Sequence, residues 1–156
     1  MDEKAQLIQR LDTARAKMHA VVQQLTTEKI IYPGWTPKHL LAHIAGWDEA
    51  IIAALRAYAE SQEYEIPAFR GINEYNARSV ETREMLTYSQ VYREWEQARE
   101  QVKEELQKMS EEKFKSELLF PWGGRGSVTQ LVEVFIEHET QHAKEIEQLL
   151  EGKTGQ

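Results

Sequence analysis

Apolar residues recur every three or four positions along four long stretches of this chain, and that spacing predicts four helices. The first runs from about Lys4 to Thr27 on a stripe of Leu7, Leu11, Ala14, Met18, Val21 and Leu25, and Tyr32-Pro33-Gly34 then breaks the pattern. The second opens at Thr36-Pro37, a hydroxyl cap followed by proline at the first helical position. It carries a wide apolar face through Leu40, Ile44, Trp47, Ile51 and Leu55 to about Ala59. The third spans about Thr87 to Met109, with Val91, Trp95, Ala98, Val102 and Leu106 on its seam. The fourth runs from about Ser127 to Glu151, where Gly152 is suited to end it.

Two connections interrupt this regularity. Residues 60–85 hold Pro67, Gly71 and the polar-aromatic stretch Gly71-Ile72-Asn73-Glu74-Tyr75-Asn76, which reads as a long crossover containing one short helix. Residues 110–126 end in Phe120-Pro121-Trp122-Gly123-Gly124-Arg125-Gly126, which cannot be helical. No period-two alternation signals a strand. Four amphipathic helices of about 20 residues pack most simply against one another. The expected fold is therefore all-α: a four-helix bundle with a long crossover between its second and third helices. It forms one domain over residues 1–152, and residues 153–156 form a tail.

Composition narrows the classes of function. The chain has 156 residues, enough for a substantial core. Its net charge of −7 comes without a basic cluster, which argues against a nucleic-acid partner. No apolar run approaches the roughly 20 residues of a membrane span, and the N-terminus lacks the apolar segment of a secretory signal, so a cytoplasmic protein is expected. There is no cysteine, so any metal ligand must be histidine or carboxylate.

The fourth helical stripe reads Val128, Leu131, Phe135, His138, His142, Ile146, Leu149. Two imidazoles four residues apart share one helix face, and here that face is the one turned inward. His43 lies on or beside the apolar face of the second helix, next to Ile44 and four before Trp47. Side chains from facing helices build metal sites in bundles. Three histidines with one open position suit a single Zn²⁺, Ni²⁺ or Fe²⁺ ion. The same pattern also fits three core histidines satisfied by hydrogen bonds, and spacing alone leaves both readings open. His19 and His39 read as structural or surface residues.

Two segments carry a family resemblance. Trp35-Thr36-Pro37-Lys38-His39-Leu40-Leu41-Ala42-His43-Ile44-Ala45-Gly46-Trp47 and Phe135-Ile136-Glu137-His138-Glu139-Thr140-Gln141-His142 resemble the second-helix and last-helix signatures of the DinB-like superfamily. Gly71-Ile72-Asn73-Glu74-Tyr75-Asn76 and Pro121-Trp122 look closest to its DfsB and ClbS-like branch. The resemblance implies a four-helix bundle that binds one divalent metal through His43, His138 and His142, with a homodimer as a further expectation. Thiol-dependent relatives imply a small electrophilic substrate and a low-molecular-weight thiol partner.

Other residues complete the expectation. Trp47 and Trp95 fall on helical stripes, as core residues do. Trp47, Asn73, Asn76, Trp122 and Arg125 are candidate pocket residues, with Arg125 placed to meet an anionic group. Asp48 and Glu49 do not share the face of His43, and Glu139 points away from His138 with at most an orienting role, as for Gln141. Glu96, Glu100, Lys103 and Glu104 read as a solvated face. Three classes of function follow: a metal-dependent transferase or hydrolase of the detoxification type, a non-catalytic sequestering protein, and a helical interaction protein with structural histidines.

Overall fold

A computed structural model describes residues 2–152; the expected tail at 153–156 lies outside the described residues. The elements are α1 (Glu3–Val22), α2 (Pro37–Ala59), α3 (Ile72–Glu81), α4 (Tyr88–Lys108), α5 (Glu111–Phe114), β1 (Glu117–Leu119), β2 (Arg125–Ser127) and α6 (Val128–Leu150). The four long helices α1, α2, α4 and α6 form the bundle predicted from the hydrophobic spacing. None of the described helices is long and apolar enough to cross a membrane.

Local chemistry explains most of the helix boundaries. Asp2 caps α1 by accepting from the Ala5 amide at 2.7 Å. Thr87 with Gln90, and Ser127 with Gln130, form reciprocal capping boxes at the starts of α4 and α6. His39 closes the start of α2, where its Nδ1 accepts from the Thr36 amide at 3.0 Å. The first helix ends at Val22 instead of Thr27. Gln24 and Leu25 bond back to Val21 and Val22 through tighter i→i−3 contacts. That turn keeps Leu25 against the core, so the apolar spacing runs past the end of the helix.

Charge pairs reveal the helix directions. Glu3 meets Thr129, Arg10 meets Glu133 and Arg15 meets Glu139, so α1 and α6 run parallel. Asp48 meets Arg99 and Arg56 meets Glu105, so α2 and α4 also run parallel. Trp47 against Phe135 and His43 against His138 set α2 antiparallel to α6. Because α2 and α4 point the same way, the chain must travel back along a bundle about 30 Å long before α4 can begin. This return is the physical reason for the long crossover. Its short helix α3 lies across α2, where Tyr75 donates to the Gly46 carbonyl at 2.6 Å.

The second connection holds more order than expected. It contains the single-turn α5 and a two-stranded antiparallel hairpin that pairs Leu118 with Gly126. Strands of three residues are too short for alternation to register in the sequence.

Two apolar clusters fill the bundle, one around Leu55, Leu106 and Leu131, the other around Met18, Leu40 and Trp95. Between them lies a layer of four buried charges, one from each long helix. Arg15 bonds Glu139 at 2.7 Å and Asp48 at 3.2 Å, and Arg99 bonds Asp48 and Glu139, each at 3.2 Å. Asp48 and Glu139 are both 0% exposed. Asp48 and Glu139 both point inward to arginine and neither bonds a histidine.

Two outcomes follow from this packing. Glu139→Gln leaves two buried arginines with one carboxylate and is expected to lower stability by about 3–5 kcal/mol in urea denaturation. At Gly46, a Cβ would lie 2.5 Å from Ser79 Cβ. Gly46→Ala is therefore expected to cost about 1–3 kcal/mol, and Ser79→Gly in the same chain to recover the share due to the clash.

Candidate metal centre

The inward stripe of α6 and the apolar face of α2 bring three imidazoles into one cluster. His43 Nε2 lies 3.1 Å from His138 Nε2, which lies 3.0 Å from His142 Nε2. The ligating atoms of the three residues are all within 4.8 Å of one another.

This arrangement fits a cation better than a set of neutral histidines. An imidazole nitrogen carries either one hydrogen or one lone pair. His138 Nε2 can therefore make one good hydrogen bond, and its two short contacts compete for the same hydrogen or lone pair. A four-coordinate zinc with Zn–N bonds of about 2.0–2.1 Å spaces its nitrogens about 3.3 Å apart, close to the distances observed. His43 Nδ1 is buried without a hydrogen-bond partner, so its ring is held by packing, including Trp35 at a centroid distance of 5.3 Å.

A second set of residues orients His142. Tyr32 donates a short hydrogen bond to Glu145 Oε1, and its oxygen lies 2.7 Å from His142 Nδ1. With the phenol hydrogen committed to the carboxylate, Nδ1–H of His142 is the donor to Tyr32. That tautomer leaves the lone pair on Nε2, facing the cluster. Burial, reinforced by the Glu145 carboxylate, pushes the Tyr32 phenol well above its usual range. Burial would raise Glu145, but hydrogen bonds from Tyr32 and Gln141 outweigh it and hold its carboxyl below the usual range.

Burial is also the largest influence on the histidines. It lowers His43 to about 3 and His142 to about 4, with the neighbouring His138 adding to both, and it lowers His138 as well. All three are therefore neutral near pH 7, the form that binds a metal.

Two cavities flank the cluster, and both are lined by His43, His138 and Asn76. One, of about 270 Å³, is walled by Trp47, Trp122 and Phe135 with Ile72 and Val134 at its edge. The other, of about 430 Å³, adds Tyr32, Trp35, Gln141 and Glu145. Of the pocket residues expected from sequence, Trp47, Asn76 and Trp122 thus stand beside the histidines, and Trp47 serves core and cavity at once. Asn73 lines an adjoining cavity behind Trp122. Arg125 does not join them: it lies at the hairpin and lines a separate cavity with Tyr58, Tyr64 and Lys113. A larger cavity, about 660 Å³, is a groove between α1 and α4 away from the three-histidine cluster, lined by His19 and rimmed by Glu96, Glu100 and Glu104.

Sequence reasoning passed over Tyr32, Trp35 and Glu145. Glu145 was detectable, because it lies three residues after His142 on the same face. Tyr32 reaches the site through a loop, closed by Ile31 N–H to Trp35 O at 2.8 Å, which no helical period could reveal. His19 and His39 are structural, as expected: Tyr92 hydroxyl pairs with His19, and His39 caps α2.

The DinB superfamily model matches residues 10–146. The fold is similar to that of a mycothiol-dependent maleylpyruvate isomerase, at a TM-score of 0.71 and 18% identity over 94% of this chain. This chain spans 63% of that isomerase's length. It is also similar to YfiT from Bacillus subtilis, described as a probable metal-dependent hydrolase with an unusual four-helix bundle topology. That match has a TM-score of 0.71 and 17% identity, and covers 96% of this chain and 87% of YfiT. No curated protein sequence matches the chain.

Stability should respond to pH in a definite direction. The folded values of His43 and His142 lie below the unfolded value of 6.5, so the unfolded chain gains protons first as pH falls. Stability is fully present above about pH 6.5 and is drawn down between there and about pH 3, the folded value of His43. Urea unfolding of metal-free protein at pH 7.5 and pH 5 is expected to show a smaller loss in His43→Leu than in the parent.

Proposed function

The chain belongs to the DinB superfamily, and from that premise we propose that it is an enzyme using one divalent metal ion, held by His43, His138 and His142, to act on a small electrophilic molecule. The observation that carries the reading is the convergence of three neutral imidazoles beside an apolar cavity, with His138 Nε2 at 3.1 Å from that of His43 and 3.0 Å from that of His142, and all three ligating atoms within 4.8 Å of one another. Zinc, nickel and iron all accept three imidazoles with an open position. Within the superfamily, we assign the chain to the DfsB and ClbS-like branch on Gly71-Ile72-Asn73-Glu74-Tyr75-Asn76 and Pro121-Trp122.

A divalent ion in such a site polarises a carbonyl or lowers the pKa of a water or thiol. The residues of the chain do the rest. Glu145 and Tyr32 hold His142 in the tautomer that presents Nε2. Trp47, Trp122 and Phe135 keep one side of the cluster dry, which strengthens electrostatic interactions there. The reaction is hydrolysis or transfer to a low-molecular-weight thiol; the isomerase of similar fold is described as mycothiol-dependent.

Protein purified without a histidine tag is expected to carry about one divalent ion per chain by elemental analysis, and His43→Leu and His142→Ala to lose it. Added Zn²⁺ or Ni²⁺ should raise the melting temperature of the parent and leave both variants unmoved. A parent chain that takes up no divalent ion at micromolar concentrations ends the metal reading. Turnover that disappears in His142→Ala would separate an enzyme from a protein that only sequesters its ligand.

A further inference from the structure

Asn76 stands where the two cavities meet and lines both of them. Its Oδ1 accepts a 2.6 Å hydrogen bond from Trp47 Nε1. An indole N–H only donates, so this bond fixes which end of the amide is oxygen. Trp47 is itself held in place, 5% exposed and packed on Tyr75 at 4.5 Å between ring centroids. The amide is therefore preset: its oxygen is committed to Trp47, and its Nδ2 has no partner among the described residues.

The cavity walls restrict what that donor can meet. No lysine, arginine, aspartate or glutamate lines the apolar cavity, and the charged side chain in the other is Glu145. Apart from an ion held at the histidines, a carboxylate or phosphate on the ligand would find no cation on these walls, and burying an unpaired charge is costly. A cavity of about 150 Å³ holds benzene, so about 270 Å³ accommodates one ring with a short substituent.

We propose that Asn76 donates through Nδ2 to the carbonyl oxygen of an uncharged substrate whose apolar ring or chain occupies the Trp47–Trp122–Phe135 cavity. The proposal rests on the histidine cluster being the reactive centre, and it adds the class of molecule that reaches it: a neutral carbonyl compound of about one ring.

Acetophenone, ethylbenzene and benzoate share a ring and differ at its substituent. Ligand-observed NMR titration of the full chain, as purified and after chelator treatment, measures all three. In the chelated protein acetophenone is expected to bind roughly tenfold more tightly than ethylbenzene, with benzoate weakest. Asn76→Asp keeps an oxygen for Trp47 Nε1 and replaces the donor with an acceptor. It is expected to lower the melting temperature modestly, as an added charge beside an apolar cavity must, and to retain ethylbenzene binding while losing the preference for acetophenone. Equal binding of acetophenone and ethylbenzene by the parent chain overturns the proposal without any variant. Tightest binding of benzoate, or a preference that survives in Asn76→Asp, overturns it as well. Since the metal is removed, a chain that fails to bind divalent ions can still pass this test, and a metal-binding chain can fail it.

Discussion

Four charges, one from each long helix, meet in the middle of the bundle, and the position of everything around them depends on their pairing. Arg15 and Arg99 each reach both Asp48 and Glu139. The arginines hold the Glu139 carboxyl below the usual range, against the upward push of burial. Arg15 also lies over the Trp95 ring at 4.1 Å. A buried ion pair is weak evidence for stability in itself, because desolvation offsets much of the attraction. Its value here is register: an apolar layer tolerates small slides, whereas four interlocked charges do not.

That register is what the candidate metal centre needs. Asp48 follows His43 by five residues on α2, and Glu139 is the neighbour of His138 on α6. The two helices that supply imidazoles are thus pinned to each other one turn from the cluster. Packing between α2 and α6 is otherwise sparse compared with α2 against α4 and α1 against α6. The gap left between those two helices provides the room for the cavities, and the charged layer keeps the gap from closing or drifting.

Much of this was legible in the sequence, because a spacing of three and four reports burial directly. It located four helices and brought His43, His138 and His142 inward. The same rule could have found the charged layer. Arg15 sits four after Leu11 and three before Met18, and Arg99 four after Trp95 and three before Val102. Each occupies an apolar position on its stripe, a placement that costs free energy unless a partner waits inside. Other features had no such signal. The parallel course of α2 and α4, the loop that delivers Tyr32, and the hairpin that carries Arg125 away from the histidines all depend on contacts between distant segments.

The division of charge among the helices also bears on how the chain folds. The pair α1 and α6 contains Arg15 and Glu139, and the pair α2 and α4 contains Asp48 and Arg99. Each half of the bundle is electrically self-sufficient. Either half can assemble with its buried cation already matched to an anion, and docking then exchanges two separate pairs for one closed ring. Bringing such halves together requires shedding water and aligning registers, but leaves no charge of this layer to be buried unpaired.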